Sequence, residues 1–277
     1  MKVIFFSFGF FLFSVATEAQ KFHLDFFAGI ANYQGDLQDN VFPFNQAHFA
    51  GGAGLSYELT DHFSIRTGLV LGRVSANDKY GKNRTRNLNF TSNITEENLE
   101  LQYFFTPLLQ YSLSPYVFAG IAVYHFDPYT YDTTGKKTYL RPMSTEGEGF
   151  LPGVKNYNLT QMAIPFGAGV KLNLSENVNV GLEVGFRKLF TDYLDDVSTK
   201  YVDESLLLSN RGAEAVEVAY RGNELKNGAP YPPAGTKRGS PKANDMYYFT
   251  GLTLSFRLGS GSYSSRHSEW ACPKNVL

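Results

Sequence analysis

The chain has 277 residues, with 25 Lys and Arg against 26 Asp and Glu and a formal net charge of −1. It therefore lacks the basic excess by which proteins bind nucleic acid. Aromatic residues make up 16% of the chain, charged residues only 18%, and glycine occurs 26 times. This composition is typical of a protein built from many short β-strands. A single cysteine excludes an intramolecular disulfide framework and a cysteine-based zinc cluster.

The first residues predict a secretory signal peptide. Lys2 precedes an apolar run over residues 3–13, and the small residues Thr17 and Ala19 follow it. This arrangement predicts that residues 1–19 are removed by cleavage before Gln20. The apolar run is too short for a transmembrane helix, which needs about 20 residues, and no later run is longer. We expect any insertion into a membrane to use strands.

Eight segments after the signal peptide alternate between apolar and polar positions, as strands do. In residues 178–187 one face is Val, Val, Leu, Val and Phe, while the other is Asn, Gly, Glu, Gly and Arg. Residues 63–72 and 245–257 repeat this two-sided pattern. Weaker copies occupy residues 21–32, 48–59, 88–104, 115–126 and 162–174.

The connections between these segments alternate in length. The short turns are residues 60–62, 112–114 and 175–177, and the long polar connections are residues 33–47, 75–87, 127–161 and 188–244. Successive hairpins of an up-and-down barrel alternate in this way between short periplasmic turns and long outer loops. Each strand also has the ~9–13 residues that a tilted strand needs to cross a bilayer. We therefore predict an eight-stranded antiparallel up-and-down transmembrane β-barrel over residues 20–258, in a bacterial outer membrane, with long extracellular loops.

Charged residues recur on one face of the strands, and a membrane barrel must turn that face inward. By alternation the inward charged residues are Asp25, Glu58, Arg66, Glu100, Lys171, Glu183, Arg187 and Arg257. Four acids and four bases can neutralise one another as buried ion pairs. Because eight strands leave room only for side chains, we predict a plugged lumen without a conducting pore.

Aromatic residues near the strand ends suit the two girdles that membrane barrels place at the lipid–water interfaces. These residues are Tyr57, Phe63, Tyr103, Phe104, Tyr116, Tyr124, Phe126 and Phe256. The alternative interpretation is that they form the core of a soluble sandwich.

Two polar loop segments could suggest ligand sites. The fourth loop contains four carboxylates that could bind calcium, namely Asp192, Asp195, Asp196 and Asp203. Their spacing matches no calcium-binding loop with its turn glycine. We interpret this segment as a solvated acidic loop. Residues 144–149 are rich in glycine but lack the Lys-Ser/Thr of a phosphate-binding loop, and we interpret them as a turn.

The chain after the last strand, residues 259–277, is predicted to lie in the periplasm, because both ends of an even-stranded barrel emerge on one side. It ends in an apolar stretch in which Trp270, Cys272 and Pro273 are candidates for binding a partner. A disordered remnant is the alternative. The unpaired cysteine of an exported protein can also join another chain, so we consider an intermolecular disulfide at Cys272.

The sequence offers no catalytic constellation. The five histidines, His23, His48, His62, His125 and His267, are scattered, and none has a nucleophile and an acid at a fixed spacing. We therefore expect a protein that is not an enzyme and that carries no cofactor and no metal.

Several blocks resemble one family. They are residues 51–57 with 60–63, residues 86–88, 115–121, 145–147, 163–167 and 185–188, and the run TDYLDDVS at 191–198. These blocks resemble the PorG-like outer-membrane proteins of Bacteroidota, and the similarity extends from about Leu24 to Phe256. The run at 191–198 is the most specific of them.

The resemblance implies a role in the type IX protein secretion machinery. PorG-like barrels are associated with the periplasmic ring formed by the lipoprotein PorK and by PorN, and in some members the machinery also serves gliding motility. The resemblance thus implies a non-enzymatic outer-membrane component that anchors or docks the PorK/PorN ring, and it supplies no catalytic residues. Two alternatives remain, a surface-facing binding or adhesion barrel that acts through the fourth loop, and a lipid-modifying enzyme.

Overall fold

The computed structural model describes residues 21–38, 43–107, 111–242 and 244–258. The predicted signal peptide at 1–19 lies outside these ranges. So do the predicted tail at 259–277 and its candidate residues Trp270, Cys272 and Pro273.

Ten strands and two α-helices make up most of the described chain. The strands are β1 (Phe22–Gln34), β2 (His48–Glu58), β3 (Phe63–Asn77), β4 (Asn89–Phe104), β5 (Leu113–His125), β6 (Tyr129–Tyr131), β7 (Lys137–Tyr139), β8 (Thr160–Ser175), β9 (Val178–Leu189) and β10 (Met246–Leu258). The helices are α1 (Glu204–Arg211) and α2 (Ala213–Ala219). Single 3₁₀ turns occupy Phe44–Gln46, Asp78–Tyr80, Arg141–Met143 and Gly222–Glu224.

The eight long strands close into a barrel. Each pairs antiparallel with its neighbours in the order β3-β2-β1-β10-β9-β8-β5-β4, and pairing of β3 with β4 completes the circle. We call the end of the barrel that carries the long loops its upper end and the end that carries the short turns its lower end. The short hairpin β6–β7 extends from the upper end of β4, where Thr91 pairs with Tyr129. The prediction of an eight-stranded up-and-down barrel is confirmed, and so is the alternation of short turns and long loops.

The outer wall of the barrel is apolar. Large outward side chains are exposed on every long strand, among them Phe26, Leu55, Leu69, Leu99, Ile121, Phe166, Leu182 and Leu252. An exposed carboxylate on this wall, Glu97, lies between Leu69 of β3 and Val123 of β5. A wall that exposes so much apolar surface needs hydrocarbon rather than water as its solvent.

Half of the predicted aromatic girdle is wrong. Phe63, Tyr103 and Phe256 are exposed on the outer wall and Tyr57 is half-buried there, whereas Phe104, Tyr116, Tyr124 and Phe126 are buried inside the barrel. Strict alternation explains the error, because Tyr103 and Phe104 are consecutive on β4 and must point to opposite faces. The inward aromatic rings fill the two ends of the lumen instead.

The fourth loop, a long polar connection in the sequence, contains α1 and α2. The Asp203 side chain accepts a hydrogen bond from the backbone N–H of Leu206 at 3.0 Å and caps the start of α1. Gly212 ends that helix at φ 86°, a left-handed conformation that glycine adopts without strain. Neither helix in the described part of the chain has the length and apolarity to cross a membrane.

The apolar wall predicts how the barrel responds to a charge placed on it. Leu182 is 52% exposed at the middle of β9, and Leu174 is 59% exposed near the lower end of β8. Leu182→Arg should lower the free energy of unfolding by about 2–4 kcal/mol, and Leu174→Arg by only about 0–1 kcal/mol, because the cost of a cation falls toward the interface. Urea unfolding in lipid vesicles measures both, and equal losses would contradict a bilayer-spanning wall.

Candidate functional site

The middle of the lumen is organised around Arg66 of β3. Its guanidinium donates to Glu100 of β4 at 2.6 and 2.9 Å and to Glu183 of β9 at 2.7 and 2.9 Å. The hydroxyl of Tyr116 donates to the same Glu183 carboxylate at 2.5 Å. Since β3 and β9 lie on opposite sides of the barrel, Arg66 connects walls that share no backbone pairing.

A second ionic layer lies toward the outer loops. Arg187 of β9 donates to both oxygens of Glu96 on β4, at 2.9 Å each. Glu96 also accepts from the Tyr247 hydroxyl at 2.7 Å and from the Asn98 amide at 3.0 Å. The sequence interpretation assigned Arg187 to the lumen but missed Glu96, although the alternation that places Glu100 inside also places Glu96 there.

A third layer lies at the periplasmic end. Glu58 is 3.2 Å from the Arg257 guanidinium and 2.9 Å from Nε2 of His23. The Ser255 hydroxyl donates to Asp25. Lys171 lies over the rings of Phe104 and Tyr116, with its ammonium 5.4 and 5.7 Å from their centres. The structure thus places all eight predicted charged residues inside and joins six of them in ion pairs.

These layers leave little space in the lumen. A cavity of about 40 Å³ remains between Arg66, Glu183, Arg187 and the glycine-rich inner face of β2 and β3. A cavity of this size has room for a few water molecules and not for an organic ligand. The lumen offers a packed ionic core and not a ligand chamber.

Above the lumen the outer loops form a cap, which we define as the packed segments of residues 35–38, 78–88, 140–157, 191–242 and 244–245. Glu146 accepts hydrogen bonds from the backbone N–H groups of Ser198 and Thr199 at 2.9 and 2.8 Å, and from the Thr199 hydroxyl at 2.6 Å. Asp196 accepts from the hydroxyls of Thr145 and Tyr157 at 2.6 and 2.7 Å. The third and fourth loops are therefore joined through buried carboxylates.

Two buried arginines extend these contacts to all four loops. Arg238 donates to Glu146 at 3.0 Å and lies 3.8 Å from Asp196. Arg86 forms a bidentate pair with Asp78 at 2.7 Å and donates to the backbone carbonyls of Asp36 and Arg238. Arg86 and Arg238 together connect the first, second, third and fourth loops at one place.

The acidic run at 191–198 is buried, so its interpretation as a solvated loop is wrong. Asp192, Asp195 and Asp196 are 6%, 1% and 0% exposed. Asp195 accepts from the Tyr33 hydroxyl at 2.6 Å, and the same hydroxyl is 2.8 Å from Asp245. Tertiary contacts with the first strand and the third loop supply the partners that a solvated loop would take from water. Residues 144–149 do form turns, but Glu146 and Glu148 within them are buried.

Burial changes the acidity of several cap carboxyls. Burial, with the carboxylates of Asp196 and Glu146 nearby, raises the pKa of Glu148 to about 8. Burial likewise raises the pKa of Asp192 to about 8 and that of Asp196 to about 6. Within the described ranges, no group of three or more His, Cys, Asp and Glu side chains is placed to hold a metal ion.

The chain is similar to one known protein family. The model of the family described as "Domain of unknown function (DUF6089)" matches residues 2–210. The chain belongs to this family. The match ends within α1, so α2, the rest of the fourth loop and β10 lie beyond it. No curated protein matches the chain. With its apolar wall and ionic lumen, this family member is an integral β-barrel of a bacterial outer membrane.

Several solved barrels are similar in structure. Neisserial surface protein A (NspA) is 10% identical, with 85% of this chain and 96% of that chain covered and a TM-score of 0.43. The outer-membrane protein OprG of Pseudomonas aeruginosa is 10% identical, with 86% and 97% covered and a TM-score of 0.40. The attachment invasion locus protein Ail of Yersinia pestis, solved with the heparin analogue sucrose octasulfate, is 8% identical, with 85% and 98% covered and a TM-score of 0.39. The barrel follows from strand pairing and does not depend on these similarities.

The ion pairs of the lumen predict that removing one partner destabilises the barrel and that removing all the partners together restores most of its stability. Arg66→Met leaves the buried carboxylate of Glu183 without its cation and leaves Glu100 only the Arg187 guanidinium at 3.9 Å, which should cost about 3–5 kcal/mol in the free energy of unfolding. The triple variant Arg66→Met, Glu100→Gln, Glu183→Gln removes the charges together and should recover most of that loss. Denaturant unfolding in detergent micelles compares the two, and a triple variant as unstable as the single one would contradict the pairing.

The raised pKa of Glu148 predicts a cap that loosens at alkaline pH. A folded-state pKa of about 8, above the ordinary value of 4.5, means that the folded cap holds a proton which the unfolded cap releases. This contribution to stability is full below about pH 4.5 and is lost as the pH rises from there to about 8. Limited proteolysis of the purified protein should cut the cap faster at pH 9 than at pH 6. The variant Glu148→Gln should reduce this difference, and greater protection at pH 9 would contradict the assignment.

Proposed function

We propose that this chain is a non-enzymatic outer-membrane component of the type IX protein secretion machinery, which anchors the periplasmic ring of PorK and PorN to the outer membrane. The assignment to this machinery rests on the resemblance of the sequence to PorG-like proteins. The structure supports an anchoring role over a transport role through one observation, the filled lumen. With Arg66 and Arg187 paired across it, the barrel has only its surfaces to offer a partner.

The position of the chain ends supports a periplasmic partner. Phe22 pairs with both Leu258 and Tyr57, so the first and last described strands start and finish beside the short turn between β2 and β3. This is the end that faces the periplasm when the short turns do. The last described residue, Leu258, therefore lies on the side of the barrel where a periplasmic ring would lie.

The two cap segments that carry the resemblance are in contact. Thr145 and Glu146 belong to one block, and Asp196 and Ser198 belong to the block at 191–198. The first block hydrogen-bonds to the second at 2.6 and 2.9 Å. Blocks separated by about 50 residues thus form one buried unit, and we infer that the resemblance reflects a shared cap architecture as well as a shared barrel.

A specific observation favours the second candidate, a surface-facing binding or adhesion barrel. The outer end carries exposed apolar side chains on the β6–β7 hairpin and on α1, namely Tyr131, Tyr139, Leu206 and Leu208. Lys137 lies between the rings of Tyr129 and Tyr139, 3.7 and 4.5 Å from their centres. Exposed aromatic and basic groups of this kind can contact a partner outside the cell.

Removal of the predicted tail tests the anchoring role. Deletion of residues 259–277 should reduce co-purification of PorK and PorN from native membranes by at least tenfold, because the tail supplies the proposed contact. The variant carries all eight barrel strands, and its heat-dependent gel shift checks that the barrel still folds. Undiminished co-purification of the ring with the deletion variant would overturn the proposed attachment.

The matched control changes the opposite end. Tyr131→Ser with Tyr139→Ser alters the exposed side chains of the hairpin and leaves the contacts of Arg86 and Arg238 unchanged. The backbone carbonyl of Tyr131, which accepts from Arg221 at 2.7 Å, is retained. It should leave the ring attached if the chain is an anchor, and it should abolish surface binding if the chain is an adhesion barrel. Trimming residues 211–244 would be a poorer control, because it removes Arg238 and breaks the cap.

A Cys272→Ser variant tests the proposed disulfide separately. If Cys272 joins another chain, non-reducing electrophoresis of native membranes should show a larger species that disappears in the variant. A monomer only in the wild-type membranes would remove the disulfide but not the anchoring role.

A further inference from the structure

An amphipathic groove opens on the outer wall where β2 and β3 part. Their pairing ends at Ala50 and Gly72, so the residues above this pair are no longer joined. The gap has a volume of about 640 Å³ and is lined by His48, Phe49, Gly51, Leu71, Arg73 and Asn93. It faces the bilayer side of the barrel, since Phe49, Leu71 and Arg73 are outward and exposed.

The groove changes from apolar to cationic along its length. Phe49 and Leu71, which are 73% and 54% exposed, form its apolar part. Arg73 stands above them, and its guanidinium Nε donates to the amide oxygen of Asn93 at 3.1 Å. No carboxylate of the described residues forms an ion pair with Arg73, and His48 beside it hydrogen-bonds to Ser75 at 2.7 Å. Among the described residues, the groove therefore presents a cation with no counter-ion.

A second, polar pocket continues the groove upward. It has a volume of about 210 Å³, and its lining includes Asn45, Gln46, Asn77, Tyr80, Asn89 and Thr91. Gln46 is 6% exposed, and its side-chain oxygen accepts from the backbone N–H of Asn77 at 2.9 Å. Its Nε2 is buried without a hydrogen-bond partner in the described structure. A buried donor left unpaired is costly, so this amide is suited to a ligand acceptor.

The height of Arg73 matches the boundary of the bilayer. Arg73 lies ten residues along β3 from Phe63, which is exposed at the lower end of the wall. A strand tilted by about 40° rises about 2.5 Å per residue, so the two side chains are about 25 Å apart in height. This is about the height of the apolar band of outer-membrane barrels, which puts Arg73 at the level of lipid headgroups.

We propose that this groove binds a phosphorylated glycolipid of the outer leaflet. Arg73 pairs with a phosphate, with Lys79 as a second cation near the pocket, where its ammonium is 4.6 Å from the Tyr80 ring. The amides and the phenol of the upper pocket hydrogen-bond to sugar hydroxyls, and an acyl chain lies along Leu71 and Phe49. Charge complementarity and the order of apolar, cationic and amide-rich surface select this occupant over a peptide or a plain phospholipid.

The outward carboxylate Glu97 does not oppose this arrangement. It lies on β4 opposite Leu69, whereas Arg73 lies opposite Asn93, so the acid is four residues nearer the periplasm on its strand. It therefore lines a separate groove with Thr67, Ile121 and Met162. At the height of the lipid phosphate, the proposed site therefore has Arg73 and His48 and not this carboxylate.

Native mass spectrometry of the full-length protein in detergent, titrated with diphosphorylated lipid A, tests the site. Arg73→Gln should weaken binding about tenfold, the loss expected for one charge-assisted contact. The matched control is Lys188→Gln, an exposed outward cation of β9 across the barrel from β3, and it should bind as the wild type does. Equal binding by wild type and Arg73→Gln, or an equal loss in Lys188→Gln, would overturn the proposal.

Two further probes identify the recognised groups. Lipid A with its phosphates removed should bind about tenfold more weakly to the wild type and should no longer distinguish Arg73→Gln. Phosphatidylglycerol, which has a phosphate but no sugar, should bind more weakly than diphosphorylated lipid A. Equal binding of phosphatidylglycerol would overturn the glycolipid assignment. The test does not involve ring proteins, so its outcome is independent of the proposed anchoring role.

Discussion

The hydrocarbon around the barrel is the constraint from which the rest of the structure follows. A charged side chain on a strand costs least when it points inward, and once inside a narrow lumen it needs a partner of opposite charge. Arg66 meets this requirement with Glu100, its cross-strand neighbour, and with Glu183 on the far wall. Arg187 meets it with Glu96. The same pairs that neutralise the lumen therefore tie its walls together and fill the space that a pore would need.

The cap, outside the bilayer, is also held together by buried charges that pair between distant segments. Four loops of very different length converge on Arg86 and Arg238, whose guanidinium groups reach carboxylates and backbone carbonyls of other loops. Glu146 in turn takes the backbone N–H groups of Ser198 and Thr199, which no strand or helix satisfies. Buried ion pairs and hydrogen bonds of this kind favour one arrangement, because an alternative leaves a charge without its partner. The loops are long, yet the cap has a defined structure.

The filled lumen and the buried cap leave only the surfaces of the barrel for a function. A barrel with a filled lumen and a buried network above it presents three surfaces, namely the periplasmic end, the outer end and the wall. The proposed ring anchor uses the first and the proposed glycolipid site uses the third. Both need a rigid scaffold, and the cross-lumen pairs provide one. The buried cap carboxyls add a dependence on pH at the outer end.

The sequence by itself determined the eight barrel strands, their alternation between turns and loops, and the inward face of Asp25, Arg66 and Glu183, because a period of two and a bilayer leave one consistent solution. It did not indicate the short strands β6 and β7, which lie within the third loop. It also contained enough to find Glu96, which shares the parity of Glu100. Only the tertiary structure decided which charges pair, since parity assigns a face and not a partner across the lumen. It also decided that Asp195 and Asp196 are buried and that the fourth loop holds two helices. Loops have no period, and the partners of this one come from strands and loops distant in the chain.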